Sequence, residues 1–400
     1  MSAWNVSKLG AVAEFIRGIT FKPDDVVPLA STGSVACMRT KNVQVDLDLN
    51  DVWGVPEAFV KRADQFLREG DIVVSTANSW NLVGKCCWVP ELPWPATIGG
   101  FVSALRADTR KIFPRFLYHW LATDVTQARI RSCARQTTNI ANLSIPQSLD
   151  IEIPLPPLEE QKRIAAILDQ ADELRRKRQR ALDRLSQLGQ AIFIEMFGDP
   201  VTNSMGWPVG TIRDLLAEAK YGTSAKANAE GVGLPMLRMG NLTYDGKIDL
   251  SDLKHVELSD DEFDKYTTRP GDILFNRTNS KELVGKTAVV TQEEPLAIAG
   301  YLVRARTNER GNPHYISAYL NSAHGKTTLR NMCKNIVGMA NINAQEFQNI
   351  AVAIPPKKIQ DDFAARLSSI EAARLPIAIS QTGTESLFAS LQARAFRGEL

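Results

Sequence analysis

Apolar positions follow two different rhythms along this chain, and the pair of rhythms occurs twice. Through roughly the first 150 residues, short apolar runs alternate with turn residues, and Ile72–Val74 and Cys87–Val89 read as strands. A helical stretch is predicted near Phe113–Ala128. From Leu158 to Phe197 the rhythm changes. Proline is absent, and Ile164, Leu168, Ala171, Leu174, Ala181, Leu185, Leu188 and Ile192 recur at three-four spacing, interrupted by Arg178. Glu, Arg, Lys and Gln fill the other faces, the pattern of a long amphipathic helix of coiled-coil type. About 40 residues rising ~1.5 Å each give a rod of roughly 60 Å.

The second half repeats this order. Ile273–Phe275 and Thr287–Thr291 read as strands, and Tyr315–Leu329 as a helical stretch. A second apolar stripe follows at Phe363, Leu367, Ile370, Ala373, Ile377, Leu387 and Leu391. Gly70, Asp71 and Ile72 recur as Gly271, Asp272 and Ile273, with Pro270 and Gly271 at the centre of a type II turn. Leu82–Lys85 recurs as Leu283–Lys286, Ile98–Phe101 as Ile298–Tyr301, and Ile140–Leu143 as Met339–Ile342. Pro156, Pro157 and Gln161 recur as Pro355, Pro356 and Gln360. The offset stays between 199 (360 − 161) and 201 (272 − 71), so the chain is a tandem duplication. The prolines at 154–157 and 355–356 mark where each long helix starts, because the residue before proline avoids the α region. Pro376 and Gly383 lie inside the second helix, where an interior proline costs about 3 kcal/mol. A kink or break is expected there.

This organisation predicts an α+β chain of two similar globular domains joined by a pair of long antiparallel coiled-coil helices. Duplication relates the halves by a pseudo-two-fold axis. The domains are placed at 1–155 and 199–355, and the helices at 156–198 and 356–400. Trp4 and Trp207 open the two repeats and are expected to pack in the cores.

Composition narrows the class only a little. The 400 residues suit several domains, and 44% hydrophobic with 23% charged residues is ordinary for a globular protein. No apolar run approaches the ~20 residues of a membrane helix, and the first residues lack an apolar signal core. A cytoplasmic location without membrane attachment is expected. Five irregularly spaced cysteines make no disulfide framework, and adjacent Cys86 and Cys87 suit neither zinc nor a redox pair. The net charge of +2 argues only weakly against a nucleic-acid partner. A basic groove opposite an acidic face gives the same sum.

The paired Gly-Asp-Ile turns, the segments Asn139–Leu143 and Met339–Ile342, the run from Ile153 through Gln161 to Ile164, and the closing Ala395–Leu400 occur in a fixed order. Together they resemble the specificity subunit of a type I restriction-modification system, over essentially the whole chain. Pro376 departs from the straight spacer that the resemblance implies. The resemblance implies two target recognition domains on double-stranded DNA, with spacer helices that also dock two methyltransferase subunits. It further implies motor-nuclease subunits as partners. Cofactors are expected to be none in this chain, with S-adenosylmethionine, ATP and Mg in the partners. The implied role is recognition of a bipartite asymmetric site, directing adenine methylation and cleavage.

Specific base contacts favour Arg, Asn, Gln, Lys, Ser and Thr on loops. Three segments per repeat fit. The first holds Arg39, Lys41 and Asn42, matched by Arg238 and Asn241. The second holds Ser75, Thr76, Asn78, Ser79, Trp80 and Lys85, matched by Asn276, Arg277, Thr278, Asn279, Ser280, Lys281 and Lys286. The third holds Arg135, Gln136 and Thr138, matched by Lys334 and Asn335. Each residue has a plainer reading as a turn or capping side chain. The basic run Arg175–Arg178 reads as a solvated or partner-docking face rather than a phosphate clamp.

No catalytic motif is found. The Pro-Pro pairs lack the acid or amide and the aromatic of an amino-methyltransferase motif, and no glycine-rich cofactor loop follows a strand. Gly325–Thr327 lacks the first glycine of a phosphate loop, and four scattered histidines make no paired ligand spacing. The chain reads as a non-catalytic recognition subunit. The competing reading is a duplicated coiled-coil adaptor whose modules bind proteins, with polar loops that share no placement.

Overall fold

Gly70 and Gly271 adopt the left-handed backbone (φ 91° and 88°) that their turns require. In the computed structural model, which describes residues 4–29, 31–138, 140–336 and 339–400, each turn feeds the inner strand of a four-stranded antiparallel sheet. In the first repeat the order is Ala13–Arg17, Val102–Ala107, Ile72–Ser75, Cys86–Trp88. In the second it is Leu216–Tyr221, Leu302–Thr307, Ile273–Asn276, Thr287–Val289. The motif aspartate pins the turn to the neighbouring strand. Buried Asp71 accepts from the Arg68 amide (2.8 Å) and from the Arg106 guanidinium (2.8 and 2.6 Å). Asp272 repeats this with Arg269 (2.9 Å) and Arg306 (2.8 and 3.2 Å).

Three smaller sheets also occur twice. Ser34–Met38 pairs with Trp53–Pro56 and, in parallel, with Ala96–Ile98; Leu234–Leu237 does the same with Lys254–Val256 and Ala297–Ile298. Ala141–Leu143 lies between Ala134–Gln136 and Ala77–Asn78, as Met339–Asn341 lies between Lys334–Ile336 and Thr278–Asn279. Asn5–Lys8 pairs with Glu152–Leu155, and Val209–Thr211 with Ala351–Ala353. Each expected helical stretch is two helices. Pro114–Leu121 gives way to Asp124–Ser132, and Pro313–Asn321 to Ala323–Met332. The side chains of Thr123 and Ser322 cap the second helix of each pair, which restarts the chain in a new direction.

The long helices span Leu158–Phe197 and Lys357–Arg397. Contrary to the expected break, the second runs unbroken through Pro376 and Gly383. Proline removes one backbone hydrogen bond, and the buried anchors Phe363, Ile370 and Ala395 hold the turns on either side of it. Both helices start at a buried glutamine. The Gln161 side chain accepts from the Phe113 amide (2.7 Å) and donates to the carbonyls of Pro156 (2.8 Å) and Lys111 (3.3 Å). Gln360 accepts from Asn312 (2.9 Å) and donates to Pro355 (2.8 Å) and Arg310 (3.0 Å).

The chain divides into two compact units, Met1–Arg178 with Ser380–Leu400, and Gln179–Ile379, so each takes part of both long helices. In the first, Ile164, Leu168 and Ala395 join a core with Phe116, Leu117 and Ile153. Arg163 donates to the Leu400 carbonyl and Arg175 covers the Phe388 ring, so the two helical segments run antiparallel. In the second, Phe193, Phe197 and Phe363 cluster with Tyr315. Arg366 there faces Glu195, again antiparallel. Half-buried Trp4 borders the first core rather than filling it, and half-buried Trp207 donates its indole N–H to the Phe197 carbonyl (3.2 Å).

The helix stripe is less complete than its spacing suggests. Leu174, Leu188 and Leu387 are exposed. The helices bury their apolar faces mostly against their own globular parts, and Arg178 occupies the groove between the segments of the first unit. It donates to the Ser380 carbonyl (3.1 Å) and to Thr384 Oγ1. The basic run is therefore not a free docking face. Arg175 and Arg176 both hold buried Asp172, and Lys177 alone of the four is exposed. Among the described residues, no helix is long and apolar enough to cross a membrane. All five cysteines are free.

Candidate nucleic-acid interface

The structure brings the three candidate segments of each unit together. The first is a short 3₁₀ turn whose asparagine is its frame. Buried Asn42 accepts from the Arg39 amide (2.8 Å) and donates to the carbonyls of Asp48 (2.8 Å) and Asp51 (3.0 Å). Asn241 does the same with Arg238, Asp249 and Asp252, each at 2.9 Å. Both side chains are buried with both amide hydrogens spent on their own loops, which leaves them no donor for a base. Arg39 lies over the Trp53 ring (3.6 Å) and pairs with Asp51, and Arg238 pairs with Asp252 (2.9 Å). Lys41 also reaches Asp51, and its hydrogen bond holds that carboxyl below the usual range. The first segment is thus basic but internally paired.

The second segment hairpins out of the central strand. Ser75 and Asn276 are buried and close the hairpin through backbone bonds with Lys85 and Gly84, and with Lys286 and Gly285. Asn78 and Asn279 accept from the amides of Ser79 and Ser280. Thr278 is buried and accepts from Asn341 (2.8 Å). Thr76 is half-buried, while Ser79, Trp80 and Lys281 stand at the exposed tip. Arg277 covers the Tyr221 ring (4.9 Å) and donates to the Gly300 carbonyl (3.2 Å).

Lysines close the hairpin and bind it to the first segment. Lys85 donates to Gln44 Oε1 (2.7 Å), and Lys286 to the Met239 carbonyl (2.9 Å). Burial lowers the pKa of Lys286. Gly84 and Gly285 have φ of 85° and 83°, and a Cβ there would meet Ile130 and Leu329 at 2.6 and 2.7 Å. Gly84→Ala and Gly285→Ala should each lower stability by about 1–2 kcal/mol, chiefly through left-handed strain. Hydrogen exchange at residues 75–86 and 276–287 checks this, and unchanged protection would refute it.

The third segment joins through the small sheet. Ala141 pairs with Asn78, and Asn341 with Thr278. Arg135 and Gln136 are exposed on its outer strand, and Thr138 beyond it. Exposed Lys334 pairs with Glu346 (2.6 Å). The Asn335 side chain lies outside the described residues, as does Asn139.

Sequence reasoning missed apolar neighbours of these loops. Phe101 is 65% exposed and Tyr301 51% exposed, and their carbonyls accept from the amides of Thr76 and Arg277. Leu82 with Leu283, and Ile140 with Met339, are further exposed pairs at matched positions. The signal was available: an aromatic directly after a glycine, between two strands, in both repeats. In the second unit a cleft of about 800 Å³ opens among Thr223, Ser224, Arg238, Asn279, Lys286 and Tyr301. Among the described residues no group of three His, Cys, Asp or Glu could hold a metal ion.

Comparison with known proteins agrees with this duplicated frame. The family model for the type I restriction modification DNA specificity domain matches twice, over residues 1–184 and 205–381. The specificity subunit of the type I restriction enzyme EcoKI from Escherichia coli (strain K12) is 28% identical over 420 residues, spanning 99% of this chain and 89% of its own length. The StySPI specificity subunit of Salmonella potsdam is 25% identical over 417 residues, spanning 99% and 89%. The crystal structure of the type I S subunit from M. genitalium shares the fold, with a TM-score of 0.62 at 16% identity over 98% of this chain and 96% of that one. Two matches of one domain model over most of the chain place this protein in the family of type I restriction-modification DNA specificity subunits.

Proposed function

We propose that each unit reads one half of a bipartite, asymmetric DNA site, and that the chain directs partner subunits to it. Methyltransferase subunits would methylate adenine in each half using S-adenosylmethionine. Motor-nuclease subunits, with ATP and Mg, would cut unmodified DNA. The observation that carries this reading is the convergence of the same three segments in both units, on one backbone frame with different tips. Trp80 stands where the second unit has Lys281. A shared frame with unlike tips is what two unlike half-sites call for, and it disfavours the adaptor reading, in which the loops share no placement.

The side chains divide by task. Arg135, Gln136, Thr138, Ser79 and Lys281 are exposed and polar, suited to base edges and phosphates. Phe101, Tyr301, Leu82 and Leu283 are exposed and apolar, suited to thymine methyls or a partly unstacked step. Asn42, Asn241, Ser75 and Asn276 hold the frame.

The test is the adenine methylome of a host without adenine methylation of its own, carrying this chain and its methyltransferase partner. A new bipartite motif, methylated on both strands and lost when the chain is omitted, is expected. Exchanging residues 1–155 for those of a related chain should change one half of the motif and leave the other. Methylation indifferent to the chain, with no co-purification of the pair, would end this reading.

A further inference from the structure

The loop after each recognition turn touches a long helix within its own unit, and the two contacts have opposite polarity. Val43 bridges Leu47, and Leu242 bridges Ile248. Asp46 and Lys247, each one residue before the bridge, therefore occupy the same place. In the first unit Arg176 pairs with Asp46 and with buried Asp172 (2.6 Å). In the second, Lys247 pairs with Glu371 (3.6 Å). On the helices, the offset of 199 equates Asp172 with Glu371, Arg175 with Arg374, and Arg176 with Leu375. The acid–arginine pair is common to both, at 2.7 Å for Arg175–Asp172 and 2.9 Å for Arg374–Glu371. Around it the charges change in concert. Asp46 meets a helix with an extra arginine, and Lys247, which also has Asp245 of its own loop at 3.8 Å, meets a helix with leucine there. Asp46 on the second helix would meet Glu371 without that arginine, and Lys247 on the first would meet Arg176.

We infer that Asp46–Arg176 and Lys247–Glu371 are two versions of one latch that orients each recognition loop on its helix, and that the reversed polarity matches each loop to its own half. The inference rests on reading the loops at 39–51 and 238–252 as part of the DNA interface. All four are positioning residues: Asp46 and Lys247 lie within the loops, and Arg176 and Glu371 on the long helices.

The test uses the full chain with its methyltransferase partner, and duplexes carrying the bipartite motif or single-base changes in either half. D46K should lower discrimination about threefold in one half-site only, since an exposed pair contributes ~0.2–1 kcal/mol. D46K with R176L, which puts the second unit's lysine and leucine at these two positions, should restore it. K247D, and K247D with L375R, should do the same for the other half-site. Unchanged discrimination, loss in both halves, or failure of the paired changes to restore overturns the latch. If the unaltered complex shows no sequence preference, the DNA-reading assignment itself falls. Urea unfolding of the purified chain then still decides the contact, because the loss in D46K with R176L must be smaller than the sum of the losses in D46K and R176L alone.

Discussion

Asp71→Ala lowers the stability of the first unit by about 3–5 kcal/mol, the range for removing one partner of a buried ion pair. The loss is large because three donors converge on this carboxylate. The Arg68 amide and two nitrogens of Arg106 lie within 2.8 Å of it. Without it, Arg106 keeps only the carbonyls of Asp64 and Phe66. Asp272→Ala costs less, although the motif is the same. Its partner Arg306, and Arg304 beside it, retain Glu218 at 3.1 Å each. The position that pairs with Arg106 on the equivalent strand is Glu14, which is exposed. Hydrogen exchange resolved to the two central sheets measures both variants. Equal losses would show that Glu218 does not substitute for Asp272, and a loss under about 1 kcal/mol at Asp71, the size of one ordinary hydrogen bond, would show that the pair is not a buried one.

The duplication made the frame legible and the interface harder to read, for one reason. Residues that recur at the fixed offset share the same duty in both halves, and for the buried polar ones that duty is holding the backbone. Asp71 and Asp272, Gln161 and Gln360, and Asn42 and Asn241 are all buried and hydrogen-bonded within the frame. The last pair fits the polar loop residues that base contacts favour, yet its amide hydrogens are spent on its own loop. Residues that tell two different half-sites apart must differ, so a repeat-based search passes over them. Trp80 and Lys281 came into view only because they lie between matched residues.

Helix periodicity fell short for a related reason. It identifies an apolar stripe but not the surface that covers it. Leu188 fits the stripe and is exposed, whereas Phe193, one step off it, is buried against Tyr315 and Phe363. One residue turns the helix by about 100°, enough to bring Phe193 against both the globular part, at Tyr315, and the second long helix, at Phe363. Pro376 misled in the other direction. A local cost was read as a break, while tertiary anchoring along the helix outweighs it.

Gln161→Leu and Gln360→Leu should each cost about 3 kcal/mol, from three lost bonds at roughly 1 kcal/mol each and a buried amide left without an acceptor. Leucine is close to glutamine in size, so most of the effect reports the hydrogen bonds. Each glutamine ties the proline-rich start of a long helix to the segment leading into Pro114–Leu121 or Pro313–Asn321. The variants should therefore loosen two places at once, the first turns of the long helix and the start of the short one. Hydrogen exchange should rise at Phe113 and near residue 161 in the first variant, and at Asn312 and near residue 360 in the second, with the other unit unchanged. A specificity subunit must hold each recognition domain at a set angle to its spacer helix, so the same variants should relax sequence discrimination in one half-site before they abolish binding. Faster exchange in both units after a single substitution would mean that the glutamine supports the whole chain rather than the start of its own helix.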